Sequence, residues 1–172
     1  MEKIDTRDPK NWIPRELFAT YLGPSSEDML SYYDKALSKK NPLLMSFNPL
    51  AVLLFPAWLG LRQQWAMWAT FTCVFGAVPF IEQGLGISIP NGAFVGTAVA
   101  MGMLARGLLL TAANAKYHKL LRQGLAEAAV REALRDRARI NIPFAVAAGV
   151  GSVMVLFGLA HIAALLSGRP FP

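Results

Sequence analysis

The sequence predicts an all-α, polytopic membrane protein with three transmembrane helices and one proline-broken helix that enters the bilayer in part or lies at its interface. Three observations carry this expectation. The chain of 172 residues is 54% hydrophobic and 16% charged, whereas soluble domains average about 25% charged. The charges are segregated: residues 63–115 hold only Glu82 and Arg106, and residues 140–168 hold none. Charge-free runs of about 20 residues match a hydrocarbon core about 30 Å thick.

Residues 1–42 read as a cytoplasmic N-terminal tail. They contain seven Lys/Arg and seven Asp/Glu and no apolar core of a cleavable signal peptide. Asp8-Pro9, Ile13-Pro14 and Gly23-Pro24 punctuate the tail as turns or extended pieces. Ser25 is placed to cap a short amphipathic helix, with Glu27 and Asp28 in its first turn. Met29, Tyr32, Tyr33 and Leu37 recur at helical spacing, and Asn41-Pro42 stops the helix.

Residues 43–61 have the length of a span, but Asn48, Pro49 and Pro56 interrupt it. A proline removes a backbone hydrogen bond, and the freed groups need a partner where water is absent. Residues 65–81 form the first expected span, with Trp65 and Trp68 at the interface. Glu82 opens an external loop to Gly92. Residues 93–113 form the second span, 114–140 a cytoplasmic basic helix, and 142–166 the third span. Residues 167–172 are an external tail.

The basic helix orients the whole. Lys116 to Arg139 contains seven Lys/Arg against three acidic residues, which places it in the cytoplasm under the positive-inside rule. Span 65–81 then runs outward and span 93–113 inward. Two arrangements of residues 43–61 remain. A full crossing would put the basic N-terminal tail outside. A partial insertion keeps it inside with Arg62 reaching the cytoplasmic headgroups, and this second arrangement is the expectation.

Small residues at four-residue spacing allow close helix approach in lipid. Gly92, Gly96, Ala98 and Gly102 supply such a face in the second span, and Ala145 and Gly149 in the third. These two spans are expected to pack on each other. Arg106 is the one cation inside a span and the candidate intramembrane functional residue; it is also near enough to the cytoplasmic end to snorkel. Along the basic helix, Glu127 and Arg131 can pair at four residues, and the segment Lys116–Arg139 can attract anionic lipid.

Catalytic, cofactor-binding and metal-binding constellations are not recognised. His118 lies among Lys116, Lys119 and Arg122, and His161 lies in the last span. No His-Glu-x-x-His, Cys-x-x-Cys or phosphate-binding loop occurs. The single cysteine, Cys73, excludes an internal disulfide. The net charge of +6 comes without a basic patch interleaved with aromatics, so nucleic acid is not an expected partner.

Residues Tyr32, Phe47, Asn48, Ala51, Phe55, Trp58, Leu59 and Arg62, with Asn114 and Tyr117 later, follow one another as in a family of small bacterial inner-membrane proteins. The stretch resembles the family called domain of unknown function 2628 over roughly residues 30–120. Pro49 stands where that family has an aromatic residue, and Gln63-Gln64 where it has a basic one. The resemblance implies a multi-pass bacterial inner-membrane protein with the N-terminus in the cytoplasm, and no defined activity. Together with the absent chemistry, it leads to the expectation of a non-enzymatic accessory or scaffold subunit, with other membrane subunits or a second copy as partners. The alternative expectation is a small transporter or channel component using Arg106 and the proline-broken helix.

Overall fold

The computed structural model describes residues 8–23, 26–62, 64–136 and 142–168. Among them every regular element is helical. A 3₁₀ turn at Pro9–Asn11 is followed by α1 (Arg15–Leu22), α2 (Glu27–Ser38), α3 (Pro49–Leu61), α4 (Trp65–Leu85), α5 (Asn91–Arg122), α6 (Glu127–Arg135) and α7 (Ile142–Ser167). Three of these helices, α4, α5 and α7, are long and apolar enough to cross a membrane. The chain divides into two compact units: residues up to 52 with 100–140, and residues 53–99 with those from 141 onward.

In the first unit, the described residues from 8 to 38 form a packed helical body, in which α1 joins the short amphipathic helix expected for this segment. Asp8 caps the 3₁₀ turn by accepting from the Lys10 amide at 3.0 Å, with Pro9 at the first position. Pro14 starts α1, which buries Leu17, Phe18, Tyr21 and Leu22 and stops at Gly23, whose φ of +75° needs no β-carbon. Helix α2 buries Met29, Tyr32, Tyr33 and Ala36, the i, i+3, i+4, i+7 stripe of an amphipathic helix. Helix α1 packs against both α2 and α6. Composition does not reveal this packing, because apolar residues of α1 pair with α6, far away in the chain. The proposed cap Ser25 lies outside the described residues.

The expected boundary at residue 113 is also corrected. Helix α5 runs unbroken for 32 residues, because the change from apolar to charged sequence introduces no breaker before Gln123-Gly124. Gly124 (φ +69°) ends the helix in a left-handed turn, its amide donating to the Leu121 carbonyl. The basic segment 114–140 is therefore the end of α5, a turn and the separate helix α6; its residues 137–140 lie outside the described residues. In α6, Val130 and Leu134 are buried, and Arg131 meets Glu127 at 3.7 Å.

In the second unit, α4 extends to Leu85, four residues past the expected end. Glu82 belongs to its last turn, and Gly86 (φ +66°) terminates it. Helices α4 and α7 pack along each other. Trp68 Nε1 donates to Ser152 Oγ at 2.9 Å, and aromatic rings of Trp65 and Phe144 meet at 4.9 Å. Helix α3 is broken at Leu54 (φ −130°, ψ 40°), two residues before Pro56. The proline ring cannot donate to the carbonyl four residues earlier and collides with it, so the bend falls there.

Candidate functional site

The polar side chains embedded in apolar sequence were the sequence-level candidates, and the first unit brings several together on one face of α5. The segment 41–48, which turns at residues 42–43, lies along that helix. Its Ser46 amide donates to the Met103 carbonyl at 3.0 Å. Leu43, Met45 and Phe47 are exposed while residues 44, 46 and 48 are half-buried, so one side of the segment is covered. Two glycines of α5 permit the approach. A β-carbon at Gly107 would lie 2.9 Å from the Leu43 Cα, the Pro42 carbonyl oxygen and the Tyr32 hydroxyl. One at Gly102 would lie 3.1 Å from Val52 Cα.

Arg106 sits beside Gly107, half-buried, and its Nη1 donates to Ser46 Oγ at 3.0 Å. The Tyr32 hydroxyl reaches the carbonyl oxygens of Pro42 at 2.9 Å and Leu44 at 2.8 Å. Burial pushes the Tyr32 phenol up to about 12, and the charge of Arg106 opposes that shift in part. Arg106 is therefore tied to the 41–48 segment of this chain. Ser46 was not recognised from sequence. Nothing in the sequence of residues 43–47 sets it apart.

The other candidates fill structural roles. Asn48 Oδ1 accepts from the Ala51 amide at 3.2 Å, which makes Asn48 the cap of α3 with Pro49 at the first helical position. Ala51 and Trp58 are buried, whereas Phe47 is exposed. Arg62 lies half-buried just beyond the end of α3. Asn114 Oδ1 accepts from the Ile13 amide at 2.8 Å, and the Tyr33 hydroxyl donates to the Ile13 carbonyl at 2.8 Å. Both backbone groups of buried Ile13 are thereby satisfied by side chains. Burial pushes the Tyr33 phenol up as well. Tyr117 stands against the ring of His118, centroids 5.4 Å apart. His118 is buried, and among the described residues its ring nitrogens meet no hydrogen-bond partner.

Within each unit, small residues of the expected faces meet α3. Gly102 abuts Val52 within the first unit. In the second unit Gly149 faces Ala57, with a β-carbon there 3.3 Å from the Ala57 Cβ, and Ala145 lies against Gly60. Both are contacts with α3, whose near-flat glycine and alanine surface allows backbones to approach. Gly92 and Gly96 have open space around them, and Ala98 is half-buried. Glu82, the one acid of the apolar half, accepts from the Ile89 amide at 2.7 Å and closes the α4–α5 turn.

Among the described residues no group of three His, Cys, Asp or Glu is placed to hold a metal ion. No family model matches the chain, and neither the curated proteins nor the solved structures compared with it contain a match.

Proposed function

We propose that the chain is a non-enzymatic integral membrane subunit of a bacterial inner-membrane assembly, acting as an accessory or scaffold component. The observation that supports this reading is the use made of the polar groups in the apolar helices. Arg106, Glu82, Asn48 and Asn114 each hold a segment of this chain in place. Such groups position a structure and do not form a relay. The resemblance to domain of unknown function 2628 belongs to the same proposal. Its Asn48 and Asn114 act here as backbone anchors, a role that a shared architecture would conserve without a shared chemistry.

The proposed topology keeps the N-terminus and the Lys116–Arg139 segment in the cytoplasm, with anionic lipid against the basic residues and α3 as a partial insertion. Lys10→Cys, Gln64→Cys and Leu125→Cys in a Cys73→Ser background are expected to label from the cytoplasm, and Ser88→Cys from outside. External labelling at position 10 overturns the arrangement. For the scaffold role, solubilisation in mild detergent is expected to recover the chain with other membrane subunits or as an oligomer. A strictly monomeric, partner-free chain overturns it. A transport role through Arg106 would instead give reconstituted flux that falls in Arg106→Leu.

A further inference from the structure

We infer that Arg106 and Ser46 form a binding site for the phosphate of a membrane phospholipid headgroup. The site rests on the membrane character of the apolar helices and is independent of the scaffold role. An arginine carries five N–H donors in a planar fork. Arg106 spends one on Ser46 Oγ, and among the described residues no carboxylate lies within ion-pair distance of it. A half-buried guanidinium left in that condition is costly next to lipid. Ser46 Oγ accepts from Arg106, so the hydroxyl proton points elsewhere. The remaining guanidinium donors are unspent, and a phosphate accepts from a fork of this kind through two parallel hydrogen bonds.

Two placements favour a lipid over a free anion. Leu43, Met45 and Phe47 alternate with the covered residues of the same segment and are exposed, at 44, 67 and 59%. These side chains offer an apolar surface to acyl chains on the segment that carries Ser46. Lys39 and Lys40, also exposed, precede Pro42, which touches α5 at Gly107; they add to the attraction for an anionic headgroup. Tyr32 is already bonded to two carbonyl oxygens, so it fixes the segment that carries Ser46 and leaves the phosphate to Arg106.

The full chain in mild detergent, stripped of co-purified lipid, tests this by native mass spectrometry. Phosphatidylglycerol is titrated in mixed micelles, with diacylglycerol of the same chains and with inorganic phosphate in parallel. The wild-type chain is expected to hold one phosphatidylglycerol and to bind diacylglycerol more weakly. Arg106→Gln is expected to weaken phosphatidylglycerol binding about tenfold or more, and Ser46→Ala about threefold, in line with a charge-assisted pair and a neutral hydrogen bond. Arg106→Lys, which keeps the charge without the fork, is expected to fall between them. Circular dichroism checks that each variant keeps its helices, and if Arg106→Gln does not fold, Arg106→Lys and Ser46→Ala decide on the same criteria. Unchanged phosphatidylglycerol affinity in the folded variants overturns the site. Diacylglycerol binding as tightly as phosphatidylglycerol also overturns it. Inorganic phosphate saturating the site at the same concentration as the lipid overturns the lipid assignment.

Discussion

The two units of this chain differ in what they bury and expose. The first places its largest apolar side chains inside: Ile13, Phe18, Leu22, Leu109, Leu110 and Leu134 are almost fully buried. The second buries Phe55, Trp58 and Leu59 of α3 but turns large side chains of its long helices out. Val95, Met154 and Leu166 are 65, 70 and 79% exposed, while Ala148, Ser152, Ala163 and Ala164 are buried. Burial of large apolar side chains is the pattern that removing apolar surface from water produces. In lipid that driving force between helices is absent, and contacts form through small residues and short hydrogen bonds. The packing of α1 with α2 and α6 follows the first pattern, and that of α4 with α7 the second.

The most damaging way to probe that contrast is a large-to-small change in the first unit. Phe18→Ala is expected to destabilise it by about 3–5 kcal/mol, read as loss of protease resistance in residues 8–38. Met154→Ala, on the open face of the second unit, is expected to stay within about 0.5 kcal/mol. Equal costs would break the comparison.

Asn114→Ala comes next. It strands the buried Ile13 amide and is expected to cost about 1–3 kcal/mol, with faster hydrogen exchange at Ile13. Gly60→Ala applies a similar load to the second unit by overpacking. Its β-carbon would lie 2.6 Å from Ala148 Cβ and 2.9 Å from the Phe144 carbonyl oxygen, for an expected cost of about 1–3 kcal/mol in thermal stability. Gly96→Ala meets open space and is expected to be neutral or to stabilise α5 by up to about 1 kcal/mol.

Alkaline titration separates the units by chemistry. Tyr32 has its folded value raised to about 12 by burial, and an unfolded phenol titrates near 10. The folded state therefore keeps a proton that the unfolded state releases. Its contribution to stability is complete below about pH 10 and is lost as pH rises toward 12. Tyr33 is shifted in the same direction. Absorbance at 295 nm is expected to show delayed phenolate formation, with the latest component missing in Tyr32→Phe.

A small effect is also expected for Trp68→Phe. It removes the bond to Ser152 Oγ, and interhelical hydrogen bonds in membranes average about 0.6 kcal/mol. A loss several times larger would mean that the second unit depends on polar contacts as strongly as the first.

Much of the helical pattern was legible in local sequence. The α2 stripe of Met29, Tyr32 and Tyr33 follows directly from spacing, and so do the starts of α4 and α7. The ends were less legible. Glu82 and Gly84 looked like loop residues, yet α4 continues because only Gly86 adopts the left-handed conformation that stops it. The candidate site was half legible: Arg106 stood out as a lone charge, while Ser46 had no distinguishing mark of its own.

Composition and periodicity by themselves determined the helical class and the three helices able to cross a membrane, because charge-free length and a 3.6-residue repeat are local properties. The tertiary structure alone decided that residues 8–38 are a packed body, that α5 serves as its floor, and which backbone each polar side chain holds. Those outcomes depend on pairings such as Asn114 with Ile13, 101 residues apart. Hydrogen-bond donors buried in a core must find acceptors wherever the fold brings them, and no local window of sequence contains both ends of such a bond.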